Sequence, residues 1–144
     1  MYLVGRNPSE EIRQLGAIDS SVIVTGFVKD VREYLGTSTI FIAPMIKGTG
    51  IKNKVLEAMA MSKPIVSTRY GVMGIMGQDG IHYFVADNPN DFSDRVVRLL
   101  HDEKLCDTIG RNARNLIDTS YSWETITQKY YLLMNEIIGK NQVH

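Results

Sequence analysis

Residues 44–68 read Pro-Met-Ile-Lys-Gly-Thr-Gly-Ile-Lys-Asn-Lys-Val-Leu-Glu-Ala-Met-Ala-Met-Ser-Lys-Pro-Ile-Val-Ser-Thr, and they constrain the fold more than any other stretch. Before them, Thr39-Ile40-Phe41-Ile42-Ala43 is a short apolar run stopped by Pro44, which fits a strand buried on both faces of a parallel sheet. After the glycines and a helix-like segment, Pro64-Ile65-Val66-Ser67 reads as a second strand. Two such strands joined through a helix predict a right-handed βαβ unit. In open α/β sheets, ligands bind beyond the carboxyl ends of the strands.

Gly48-Thr49-Gly50 lies between the first strand's carboxyl end and the first helical turn, so backbone N–H groups there can approach a ligand without Cβ obstruction. The favoured guest is an anion, because unpaired N–H groups and the helix dipole both present partial positive charge. Ile51, Val55, Leu56, Ala58, Met59 and Ala60 make the helix apolar around most of its circumference, which predicts burial against the sheet. Lys54 and Glu57 interrupt that surface three residues apart, on one face. A cation in the first turn suits a phosphate, and a carboxylate further along can accept from sugar hydroxyls. The same spacing also suits a solvated Lys54–Glu57 pair.

The run from Gly48 to Thr68 resembles the donor-binding segment of GT-B glycosyltransferases of the retaining, group 1 type. Their Glu-Ala-x-Ala-x-Gly-x-Pro-x-Val pattern stands here as Glu57-Ala58-Met59-Ala60-Met61-Ser62-Lys63-Pro64-Ile65-Val66, with Ser62 where Gly is usual. The likeness extends to Val24-Thr25-Gly26-Phe27-Val28, to Tyr70-Gly71-Val72-Met73-Gly74-Ile75 and to Tyr121-Ser122-Trp123. It implies an α/β fold with a Rossmann-like, doubly wound, three-layer parallel sheet, the C-terminal half of a GT-B fold. It also implies a nucleotide-diphosphate sugar as donor substrate, with no cofactor and no metal.

Carried over by position, Glu57 would accept from the ribose hydroxyls, and Gly48, Thr49, Gly50 and Ile51 would line the donor sugar and diphosphate through their backbone. Lys54 would supply charge to the diphosphate, while Phe27 and Val28 would border the base. Many members pair two glutamates eight positions apart, and the position eight before Glu57 is Thr49. A carboxylate contact that orients the donor sugar is therefore missing here. That departure keeps open a non-catalytic nucleotide-binding or interaction module of the same fold. A sugar epimerase of this fold would need its own carboxylates and histidine, and no such constellation is evident.

The resemblance also bears on boundaries. Tyr2-Leu3-Val4-Gly5 reads as a strand leading to a helix capped by Ser9. In the family this strand follows a strand-loop-helix with basic residues and, before that, an acceptor-binding domain. The expectation is a single nucleotide-sugar-binding domain over 1–144, truncated at its N-terminus and inactive alone, whose main catalytic groups and partner domain lie in the missing part. For the full-length enzyme the resemblance implies polysaccharide, lipopolysaccharide or glycoconjugate synthesis, at a cytoplasmic location or peripherally at a membrane.

Composition sets outer limits. At 144 residues the chain has a one-domain length and can bury about two thirds of its unfolded surface. Sixteen basic and sixteen acidic residues give zero net charge, so no bulk attraction to nucleic acid is expected. The lone cysteine, Cys106, cannot form an internal disulfide and reads as a small buried apolar residue. His82, His101 and His144 have no ligand-like spacing and read as structural or surface residues. No apolar run has the length of a membrane span.

The rest of the chain alternates short apolar runs with helical patterns. Strands are expected at Val22–Gly26 and Ile81–Ala86, and helices near Lys29–Leu35, from an Asn90 cap through Leu99 and Leu100, and over Leu105–Ile117. Between them Arg69–Gly80 holds four glycines and reads as a loop with Met73 and Met76 packed beneath it. A closing helix runs from Trp123 to about Ile138, with Ser122 as its cap. Its stripe of Trp123, Ile126, Tyr130, Leu133 and Ile137 is expected to stay partly exposed without the other domain and to favour self-association.

Overall fold

The computed structural model describes residues 1–141; His144 lies outside them. Two compact units emerge, Met1–Ser38 and the remainder from Thr39. The first holds β1 (Tyr2–Val4), α1 (Glu10–Ile18), β2 (Ile23–Gly26) and α2 (Arg32–Thr37). β1 and β2 pair in parallel, with Tyr2 opposite Ile23 and Leu3 opposite Val24. Ser9 caps α1, its hydroxyl accepting from the Ile12 N–H at 3.5 Å. Gly16 lets α1 close on β2, since a Cβ there would meet Val24 Cγ2 at 3.0 Å. The helix expected at Lys29–Leu35 starts later, at Arg32, because the Asp30 carboxylate takes the Arg32 N–H at 2.9 Å and turns the chain before the helix begins.

The second unit holds β3 (Phe41–Ala43), α3 (Asn53–Ala60), β4 (Ile65–Ser67), β5 (Phe84–Val85), α4 (Pro89–His101), α5 (Glu103–Ser120) and α6 (Trp123–Asn141). Its strands lie in the order β3-β4-β5, all parallel, with Phe41 opposite Ile65 and Val66 opposite Phe84. The crossover through α3 therefore joins neighbouring strands, as the apolar runs around residues 44–68 predict. Val66, Phe84, Leu99, Cys106 and Ile109 form one cluster of the buried core, with Ile40, Ile42, Phe92, Val96 and Leu105 packed around it. Full burial of a side chain such as Ile109 or Leu99 contributes about 1.5–3 kcal/mol each. The Cys106 thiol sits in this core, donating to the Leu99 carbonyl, and burial pushes its pKa up.

Several expected boundaries move, each for a local reason. The strand expected at Ile81–Ala86 is only Phe84–Val85, because Ile81 and His82 turn back to the Gln78 carbonyl and His82 Nδ1 accepts from the Gln78 N–H. Asn88, not Asn90, caps α4 by accepting from the Asp91 N–H at 2.9 Å. Pro89 then occupies the first helical position, where its missing N–H costs nothing. Leu100 faces out at the end of that helix and His101 is also exposed. In the glycine-rich loop Gly71, Val72 and Ile75 are buried, whereas Met73 and Met76 are exposed, the reverse of the expectation for the methionines. No helix among the described residues is long and apolar enough to cross a membrane.

Candidate functional site

β3 ends at Ala43, and the carboxyl ends of β3 and β4 are sewn together there. The Ala43 carbonyl accepts from the Thr68 N–H at 3.3 Å and the Met45 N–H at 2.8 Å. The fully buried Ser67 hydroxyl lies 3.2 Å from the same carbonyl and 2.8 Å from that of Thr68. From this fixed point residues 44–52 run exposed or half-exposed to the start of α3. Gly48 at φ 136° and Gly50 at φ 68° adopt backbone that L side chains rarely take, so both glycines are required by the turn.

Ile51 lies before the helix and is 45% exposed, which corrects its expected place on the buried helical face. Lys52 is the residue at which the loop becomes helix. Its ammonium donates to the Thr49 carbonyl at 2.7 Å and to the Gly50 carbonyl at 2.8 Å, two charge-assisted bonds inside the loop. Among the described residues, the N–H groups of Gly50, Ile51, Asn53 and Lys54 have no hydrogen-bond partner. Loop and first helical turn thus offer a set of free donors, the arrangement that binds anions.

α3 buries Val55, Ala58 and Met59 completely, which orients the rest of the helix. Lys54 and Glu57 are exposed. Among the described residues neither side chain has an ion-pair or hydrogen-bond partner, so the solvated Lys54–Glu57 pair is not formed. Lys47, Lys52 and Lys54 fall within eight residues of chain with no acid between them, giving the loop a positive environment. The glycine-rich loop that follows β4 backs this segment: a Cβ on Gly74 would meet Ile51 Cγ1 at 3.0 Å.

Gly48, Thr49, Gly50, Ile51, Lys54 and Glu57 therefore stand on one continuous strand-loop-helix segment. Phe27 and Val28 belong to the first unit, directly after β2. Phe27 is 64% exposed with the Arg6 guanidinium 4.9 Å from its ring centroid, and Val28 is half-buried. Lys52 is the residue that sequence reasoning missed. Its position immediately after the glycine loop was the available signal.

Residues 1–102 match the family described as glycosyl transferases group 1. The chain belongs to that family. This group 1 glycosyl transferase domain is 30% identical over 97 residues to an uncharacterized glycosyltransferase of Methanocaldococcus jannaschii, a match covering 66% of this chain and 27% of that protein. The chain thus spans about a quarter of that relative's length. In fold it is similar to the C-terminal domain of a group 1 family glycosyl transferase, LpcC, from Francisella tularensis, with a TM-score of 0.67, 24% identity and coverage of 79% of this chain and 60% of that one. Anabaena HepE, solved in complex with UDP, is similar with a TM-score of 0.82 at 18% identity, covering 94% of this chain and 40% of that one. The domain accordingly has the Rossmann-like α/β fold of the C-terminal half of GT-B glycosyltransferases.

Proposed function

We propose that this domain binds the nucleotide-diphosphate sugar donor of a retaining, hexosyl-type glycosyltransferase, through Gly48, Thr49, Gly50, Ile51, Lys54 and Glu57. The observation that carries this reading is the set of unpaired groups on one exposed segment: loop and helix-end N–H donors, the Lys54 ammonium and the Glu57 carboxylate. An anion with a sugar attached satisfies all of them at once. The UDP in the HepE complex, a protein of similar fold, supports the choice of anion.

In the reaction, N–H groups and a lysine aimed at the leaving diphosphate offset the charge that develops as the glycosidic bond breaks. The main catalytic groups and the acceptor-binding surface come from an N-terminal domain that partners this one across a cleft. The acceptor belongs to polysaccharide, lipopolysaccharide or glycoconjugate synthesis, and the enzyme works in the cytoplasm or peripherally at its membrane. Thr49, in place of a second carboxylate, is the one feature that favours a non-catalytic nucleotide-binding module instead.

Titration calorimetry tests the site. Glu57→Ala should weaken a nucleoside diphosphate more than free pyrophosphate, because only the former carries ribose hydroxyls. Lys54→Ala should weaken both, and each lost charge-assisted contact corresponds to roughly one to two decades of affinity. Equal binding by the unaltered chain and both variants would sink the assignment.

A further inference from the structure

We infer that Lys52 is the positioning residue of the donor loop, holding the N–H groups of Gly50 and Ile51 outward as a pair of donors for the diphosphate. The geometry is that of planar, trans peptides. In each peptide unit the carbonyl and the following N–H point in opposite directions. The Lys52 ammonium draws the carbonyls of Thr49 and Gly50 to itself at 2.7 and 2.8 Å. The N–H groups of the same two peptide units, those of Gly50 and Ile51, are thereby turned away from it, and neither has a partner among the described residues. Successive N–H groups pointing the same way make an anion-binding concavity.

Nothing else in the loop does this work. Gly50 at φ 68° makes the backbone permissive, so it does not choose between peptide orientations. Gly48 clears the space the lysine uses: a Cβ there would meet Lys52 Nζ at 3.2 Å and Cε at 3.3 Å. Lys52 and Lys54 then divide the labour of the basic segment. Lys54 is free to meet the ligand, and Lys52 is engaged with the backbone and acts through it. This inference rests on the donor-binding reading above, and it identifies the diphosphate as the group the two N–H donors meet.

The test compares the chain with Lys52→Met, which removes the ammonium, and Lys52→Arg, which keeps a cationic donor, using UDP and inorganic pyrophosphate as probes. In the ligand-free chain, heteronuclear relaxation of the Gly50 and Ile51 amides should report an ordered loop that Lys52→Met loosens and Lys52→Arg restores. Lys52→Met, still fully folded at the temperature of the titration, should bind both probes about tenfold more weakly, with most of the loss recovered in Lys52→Arg. Amides equally ordered in Lys52→Met would overturn the inference. So would affinity lost without any change in those amides, which would mean that the ammonium touches the ligand itself, or a loosened loop that binds as well as before. If the unaltered chain bound neither probe, the donor-binding reading would fall, while the amides of the ligand-free chain would still decide whether Lys52 holds the loop.

Discussion

The Tyr121 phenol oxygen accepts a hydrogen bond from the Met76 backbone N–H at 2.8 Å, and its own proton faces the Gly74 carbonyl at 3.4 Å. One side chain at the junction of α5 and α6 thus pins the glycine-rich loop whose Gly74 lies against Ile51 of the candidate site. Tyr121→Phe should lower stability by about 1 kcal/mol, the net worth of an intramolecular hydrogen bond. It should also speed hydrogen exchange at the Met76 amide. Exchange at the unaltered rate would show that the loop is held by packing alone.

Ser62, which stands where the family usually has glycine, sits at φ 56° in the left-handed region. A non-glycine residue there costs roughly 1–2 kcal/mol, partly offset by the greater freedom glycine has in the unfolded chain. Ser62→Gly should therefore stabilise the domain by about 0.5–1 kcal/mol in denaturant unfolding. Gly110 of α5 faces the carbonyl of the same residue so closely that a Cβ would collide with it. Gly110→Ala should push α5 off the α3–β4 connection and cost about 1–3 kcal/mol.

Asp30 offers a test confined to the first unit. Hydrogen bonds from the Arg32 side chain, and then from its backbone N–H, hold the Asp30 carboxyl down to about 2. A depressed folded pKa means that any stability it contributes is present above the unfolded pKa and is lost as pH falls from about 4 through about 2. Carbon-detected NMR titration should place its midpoint at about 2, and Arg32→Gln should move that midpoint up toward the ordinary carboxylate range. A titration unaffected by Arg32→Gln would refute the pairing.

Trp123 is 81% exposed on α6, and Ile126, Tyr130, Leu133 and Ile137 are exposed along the same helix, as the stripe predicts. The expected outcome in light scattering is self-association that Trp123→Lys with Tyr130→Lys reduces. A monodisperse unaltered monomer would count against it. Sugar transfer should be undetectable for these residues alone, since the transfer proposed above needs donor and acceptor held in near-attack geometry across two domains. Turnover in a donor-consumption assay would overturn that expectation.

The strand-loop-helix-strand core of the domain was legible because it rests on local rules. Short apolar runs, a glycine pair and a helix whose Val55, Ala58 and Met59 share one face dictate a parallel crossover whatever surrounds them. The exposure of Lys54 and Glu57 follows from the same periodicity. What tertiary structure alone decided lies where periodicity ends. Whether Val72 or Met73 turns inward, and whether Asn88 or Asn90 caps a helix, depends on individual backbone angles and competing hydrogen bonds. Lys52 belongs with these. By composition it is one of three lysines around a loop, and only the folded path of residues 48–52, with two glycines at positive φ, brings two carbonyls within reach of its ammonium and leaves Lys54 free.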